Sequence, residues 1–249
     1  MSTSDWPAAR ALAEDAPTSD AKLLGAPLSY RQMGGPTRKH DGDVSLLRIG
    51  LCSSLSRGFL RELIRHVRAE LDAPALTFLD GAPDDIIEAV SLGDLDIGFV
   101  YGSHDWMDLQ SEELWRESLM VLMPDGYRLS RESEVKPTAL RSETFLVAGD
   151  ATERELHVDL LERAIGGTPV VQAVPVERAT LIDLVSLGFG LAVTVDSALG
   201  VFHPGVTYRP IGAPVAPVSF GAVWSQANGN SELGPFLETA RELSAARRL

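Results

Sequence analysis

From Leu47 onward this chain exchanges short apolar runs of strand length with longer stretches whose apolar residues recur at helical spacing, and that alternation constrains the fold more than any other feature. The run SLLRIGLC, residues 45–52, has the length and composition of a buried strand. In SSLSRGFLRELIRHVRAELD, which follows, Phe59, Leu60, Leu63, Ile64, Val67 and Leu71 recur every three or four positions and mark one face of a helix. ALTFLD is a second strand. Pro83, Asp84 and Asp85 then open a helix, because proline loses no hydrogen bond in a first turn and acids meet the positive end of the helix dipole. IIEAVSLG carries that helix to a stop near Gly93, and residues 96–100 supply a third strand. Strands joined by single helices must run parallel, through right-handed crossovers.

The pattern then repeats. ELWRESLMVLMP, residues 113–124, reads as one extended strand ending at the turn pair Asp125 and Gly126. TFLVAG is a strand, TERELHVDLLERAIGG a helix stopped by glycines, PVVQAV a strand, VERATLIDLVSLGFG a helix and LAVTV a strand. Two Val-rich strands follow, VTYRPI and VSFGAVW. The end, SELGPFLETARELSAARRL, is an amphipathic helix with Ser231 as its expected N-cap and arginines at its C-terminus. That last helix has no strand neighbour in sequence, which a discontinuous first lobe explains. The expected fold is therefore α/β and two-lobed, with lobe I at about 47–120 plus 223–249 and lobe II at about 121–222. The cleft between them lies at the carboxyl ends of the strands, where open α/β sheets bind ligands.

Residues 1–46 have a different texture. Weakly apolar stretches are punctuated by GAP, GGP and DGD, so this part is read as an arm with at most one short helix. The whole chain, with a net charge of −13, repels phosphate backbones on average. No apolar run reaches the roughly 18 residues that span a bilayer. The first residues show neither a basic n-region nor an apolar h-region, so a cytoplasmic protein without a membrane partner is expected.

Chemistry-bearing groups are sparse. His40, His66, His104, His157 and His203 lack metal-ligand spacing, no phosphate-cradling glycine loop ending in Lys-Ser or Lys-Thr occurs, and the single cysteine excludes an internal disulfide. No cofactor, metal or catalytic residue is expected. Cys52 ends a buried strand and reads as a packed thiol rather than a nucleophile or redox sensor. His104, Asp105 and Trp106 form a loop at the third strand's end, read as an ordinary histidine and acid pairing. Gly188 and Gly190 read as helix termination rather than nucleotide binding.

Four segments carry a family likeness: LRIGLCSSLSRGFLRELIRHVRAE, GAPDDIIEAVSLGDLDIGFVYG, ELWRESLMVLMP and ERATLIDLVSLGFGLAVTVDSALG. In order and spacing together, over about residues 47–249, they resemble the effector-binding domain of LysR-type transcriptional regulators. The resemblance implies a type II periplasmic-binding-protein-like fold and a small-molecule effector in the cleft. It also implies that Ser53, Ser54, Gly81, Ala82, Val100, Tyr101, Ala148, Gly149 and Asp150 line the effector site, with Val195 where many members carry proline. Ser53 and Ser54 are expected at a helix N-terminus, either meeting a ligand carboxylate or serving as an N-cap pair. Ala82 stands where members that bind aromatic acids have a hydroxyl residue, so effector identity is not carried over. Asp150 and Asp196 leave a neutral or cationic effector open, unless they are ordinary solvated loop carboxylates.

Family members begin with a winged helix-turn-helix and a linker helix, and neither pattern is read here. Gly34, Gly35 and Pro36 break a linker helix, and the arm's bases are balanced by its acids, so direct DNA binding by this chain alone is not expected. Arg57, Arg61, Arg65 and Arg68 form a basic stripe on the first helix, read as a solvated face or as a subunit contact of the kind the family makes there. A homodimer, or a heterodimer with a full-length LysR-type regulator, is the expected assembly. A free-standing cytoplasmic solute-binding protein of the same fold is the second reading, and an enzyme on that fold the third.

Overall fold

The computed structural model of the chain describes residues 45–70, 73–102, 109–148, 158 and 160–247. The first unit forms as its periodicity predicts: β1 (Leu46–Leu51), α1 (Phe59–Val67), β2 (Ala75–Asp80), α2 (Pro83–Ser91) and β3 (Ile97–Tyr101). β1 lies between β2 and β3 and runs parallel to both, with Leu51 opposite Asp80 and Gly50 opposite Gly98. The two glycines explain how α2 seats on this sheet. A Cβ on Gly98 would stand 2.4 Å from Ile86 Cγ2, and one on Gly50 would stand 2.7 Å from the same methyl. Ile86, fully buried, therefore rests on a patch of bare backbone.

The run 113–124 is not one strand. β4 (Leu109–Glu117) and β5 (Leu119–Pro124) part at Ser118 and enter different sheets. β4 closes the five-stranded first sheet, in the order β2-β1-β3-β10-β4, with β10 (Val218–Ser225) antiparallel to both of its neighbours. β5 instead lies between β8 (Ala192–Val195) and β9 (Val206–Pro210) and is buried along its whole length. β10 belongs entirely to the first sheet, so the chain has already returned by Val218.

Between β5 and β8 run α3 (Pro137–Leu140), β6 (Thr144–Val147), α4 over residues 160–165, β7 (Val170–Ala173) and α5 (Arg178–Ser186). β6 and β7 pair in parallel, and β6 meets β8 through the parallel bridge of Phe145 with Leu191. Read across, the second lobe runs β7-β6-β8-β5-β9. Three parallel strands, an antiparallel one and an edge strand follow one another as they do in the first sheet, so the two halves are built alike.

α6 (Leu233–Arg247) answers the question of the unpartnered last helix, because it packs on α1 and β4 of the first lobe. Arg241 pairs with Glu112 at 2.8 Å and Arg247 with Glu62 at 2.8 Å, while the Ser244 hydroxyl donates to the Leu114 carbonyl. Ser231 is not the cap. Asn230 Oδ1 accepts the Glu232 N–H at 3.1 Å, and its Nδ2 donates to the Leu46 carbonyl at 2.8 Å, tying the helix start to β1. At the amino end of β3, buried Asp96 is clamped by the Arg48 side chain, with Nε at 3.0 Å and Nη2 at 2.8 Å, and by the Arg48 backbone N–H. Burial alone would push the Asp96 carboxyl up, but these bonds and that of Asn228 outweigh it and hold it below the ordinary carboxylate range. No helix among the described residues is long and apolar enough to cross a membrane.

Candidate functional site

Because β1, β2 and β3 are parallel, their carboxyl ends lie on one edge, and the chain leaves that edge through 52–58, 81–82 and 102. The candidate residues of the first lobe gather there. Gly81 donates its N–H to the Leu51 carbonyl at 3.1 Å, fixing the end of β2 beside that of β1. Ala82 is the extended residue leading into α2, whose start carries no side-chain cap. Val100 is 1% exposed and packs under α2 with Ile86, Val90, Leu95 and Val223, whereas Tyr101 is half-buried at the strand's end, 5.9 Å from the Phe220 ring. In the second lobe, Ala148 follows β6 and Val195 ends β8. Gly149, Asp150 and the His104 loop lie outside the described residues.

The two serines depart from expectation. α1 begins only at Phe59, led in by Gly58 at a φ of 87°, so neither Ser53 nor Ser54 stands at a helix N-terminus. The loop they form crosses to the second lobe instead. The buried Ser53 hydroxyl meets the Ser197 hydroxyl at 3.1 Å, Ser56 Oγ donates to the Ser197 carbonyl, and Ser54 Oγ accepts the Ser56 N–H at 3.1 Å. The fit is close: a Cβ on Gly200 would fall 2.4 Å from the Ser56 carbonyl oxygen.

Beneath this crossing sits Glu117, 4% exposed, the last residue of β4 before the chain changes lobe. Its Oε1 accepts the Trp115 Nε1–H at 2.7 Å and its Oε2 accepts the Ser197 N–H at 3.0 Å. Trp115 in turn stacks between Phe59, at 4.7 Å, and Phe220, at 5.0 Å. An aromatic column of the first lobe is thus joined, through one buried carboxylate, to a turn of the second. Cys52 lies beside it. Burial pushes its thiol up to about 12, with the negative charges of Asp80 and Glu117 adding to the shift, so it stays protonated and chemically quiet at neutral pH.

The charged groups of the walls were missed in the sequence. Arg178, the first residue of α5, is exposed and donates from Nη2 to Thr194 Oγ1 at 2.7 Å. Asp80, the last residue of β2, belongs to the other lobe, near enough for the Arg178 charge to act on it. Neighbouring atoms displace enough water to push the Asp80 carboxyl up, although much of its surface is open, and the Arg178 charge opposes that push. Partial burial also raises the Tyr208 hydroxyl, again opposed by Arg178. The internal repeat held a signal for Arg178: α5 follows the second strand of its lobe as α2 follows the second strand of the first, so residues 177–178 are the counterparts of 82–83. Among the described residues, no group of three or more His, Cys, Asp or Glu side chains could hold a metal ion.

Compared with known proteins, the chain matches a family model described as LysR substrate binding domain over residues 40–245. It is 25% identical over 171 residues to the HTH-type transcriptional regulator XapR of Escherichia coli (strain K12), a match that takes in 68% of this chain and 58% of XapR. The chain therefore spans little more than half the length of that relative. Its fold is similar to the BenM effector binding domain with its effector benzoate, with a TM-score of 0.70 and 20% identity over 82% of this chain and 95% of that one. It is likewise similar to full-length CbnR complexed with its target DNA, with a TM-score of 0.69 and 17% identity over 81% of this chain and 72% of CbnR.

Proposed function

The chain belongs to the LysR substrate-binding domain family, and from that membership we propose that it is the sensing body of a transcriptional regulator, taking a small-molecule effector between its lobes. Its fold is of the two-lobed type II periplasmic-binding-protein kind, and its relatives are transcriptional regulators, not enzymes. One observation carries the reading: strand ends of both lobes meet where a neutral hydroxyl pair, Ser53 with Ser197, spans the gap beside the Ser118 crossing. Such a contact costs little to remake, so an effector bound between the walls biases lobe closure. Ser53, Ser54, Gly81, Ala82, Tyr101, Ala148, Gly149, Asp150 and Val195 line the proposed site, with Val100 contributing only its backbone.

Pairing of subunits is the proposed output. Arg61, Arg65 and the C-cap Arg68 are exposed along α1, whereas Arg57, expected in the same stripe, precedes Gly58 and lies off the helix; Glu62, which would have offset them, is taken by Arg247 of α6. These bases meet acids on a second subunit, either another copy or a full-length LysR-type regulator, in the cytoplasm where promoters lie. With a net charge of −13, this stretch of chain does not hold DNA by itself.

Thermal denaturation against aromatic acids, amino acids and sugars tests the sensor. One class is expected to raise the Tm of the native chain, with a smaller rise in Ser54→Ala. If every compound leaves the Tm unmoved, the pocket is not live. In a gel-shift assay the chain alone leaves promoter DNA unshifted, and tight, sequence-specific binding by it alone overturns the electrostatic reading.

A further inference from the structure

The walls of the cleft carry opposite charges flanking the crossing of Ser53 and Ser197. Arg178 is tied to Thr194 at 2.7 Å, and Thr194 is followed, within β8 and the turn after it, by Val195, Asp196 and Ser197, whose hydroxyl reaches Ser53. On the facing lobe Asp80 stands in register with Leu51, two positions before Ser53. A guanidinium and a carboxylate are thus carried, one on each lobe, beside strands that lead into the Ser53 and Ser197 contact. They sense each other's charge, yet no ion pair closes the space between them.

Each group is incomplete in a way that a ligand completes. Thr194 takes one Nη2 proton of Arg178, and the remainder of that exposed planar fork matches a carboxylate, which it binds by paired, charge-assisted hydrogen bonds. Among the described residues Asp80 has no cationic side chain in ion-pair contact, and its partial desolvation favours a positive neighbour. A plain anion would satisfy Arg178 and be repelled by Asp80; a plain cation would meet the reverse.

We propose, building on the effector-sensing reading above, that the cleft selects a small zwitterion, an α-amino acid or a molecule of the same charge pattern, with its carboxylate on Arg178 and its ammonium group facing Asp80. Binding of this kind joins the two walls through two ion pairs, which couples ligand charge pattern to lobe closure.

The test is isothermal titration of the full chain with three matched sets: the common α-amino acids, the carboxylates that lack their amino group, and the amines that lack their carboxylate. At least one amino acid is expected to bind, with both of its truncated analogues weaker by about tenfold or more. Arg178→Gln is expected to weaken the amino acid by a similar factor, and Asp80→Asn to erase its advantage over the deaminated carboxylate. Both side chains are exposed, so circular dichroism of the variants should match the parent. Equal binding of a truncated analogue, or binding that both substitutions leave unchanged, overturns the zwitterion assignment. A sugar or other uncharged compound that binds to parent and variants alike overturns it too, while leaving the sensor reading standing. Silence from all of these compounds overturns both.

Discussion

At the scale of single residues, Asp96 and Cys52 have opposite electrostatic situations. Asp96 is fully buried but surrounded by donors from Arg48 and Asn228, and its carboxyl is held below the ordinary range. Its stabilising contribution is therefore complete above the unfolded carboxylate value of about 4 and lost as pH falls through the lower folded value. Urea titrations across that window should show a flatter acid limb in Asp96→Asn than in the parent. Arg48→Met, which strands the carboxylate, should cost on the order of 3–5 kcal/mol at neutral pH. A loss below 1 kcal/mol, roughly that of an exposed pair, would contradict the clamp. Cys52 is the reverse case, a thiol kept neutral by burial, with a value of about 12. Alkylation by iodoacetamide at pH 8 should be far slower in the native chain than in urea, and equal rates would place the thiol in solvent.

At the scale of elements, the seat of α2 matters most, since its start leads directly into the cleft. Ile86 lies on the bare backbone of Gly50 and Gly98, and the contact leaves no room for a methyl group. Gly98→Ala is expected to lower stability by about 1–3 kcal/mol through overpacking. Ile86→Ala opens a cavity at the same spot. The double variant should therefore lose less than the sum of the two single losses, measured as a coupling energy by chemical denaturation. Strict additivity would mean that the helix does not rest where the geometry places it.

At the scale of the whole molecule, the lobes are joined covalently at Ser118 and between β9 and β10, and non-covalently through Ser197. Glu117 organises that junction by accepting from Trp115 and Ser197 at once. Glutamine at this position has one oxygen and one NH2, so one of the two donors would face another donor. Glu117→Gln should cost about 1–3 kcal/mol and widen the lobes, raising the radius of gyration in small-angle scattering. An unchanged radius with unchanged stability would remove Glu117 from the hinge.

The order of strands and helices was legible in the sequence because periodicity, glycine stops and the proline start of α2 act over a few residues. Local pattern alone thus predicts that the ends of β1, β2 and β3 share one edge and that the thiol of Cys52 packs. Ser118 was not legible as a break, since no glycine or proline interrupts Leu114 to Met123 and only the choice of sheet separates the two strands. Asn230 and Ser231 both carry a side-chain oxygen that can hold the entry to α6, and the reach of Asn230 to the Leu46 carbonyl decided between them. The pairing of Ser53 with Ser197 and the approach of Asp80 to Arg178 join residues far apart in the chain. Local patterning specifies which face a side chain takes on its own element, but which face of another element lies opposite is decided only when the lobes pack.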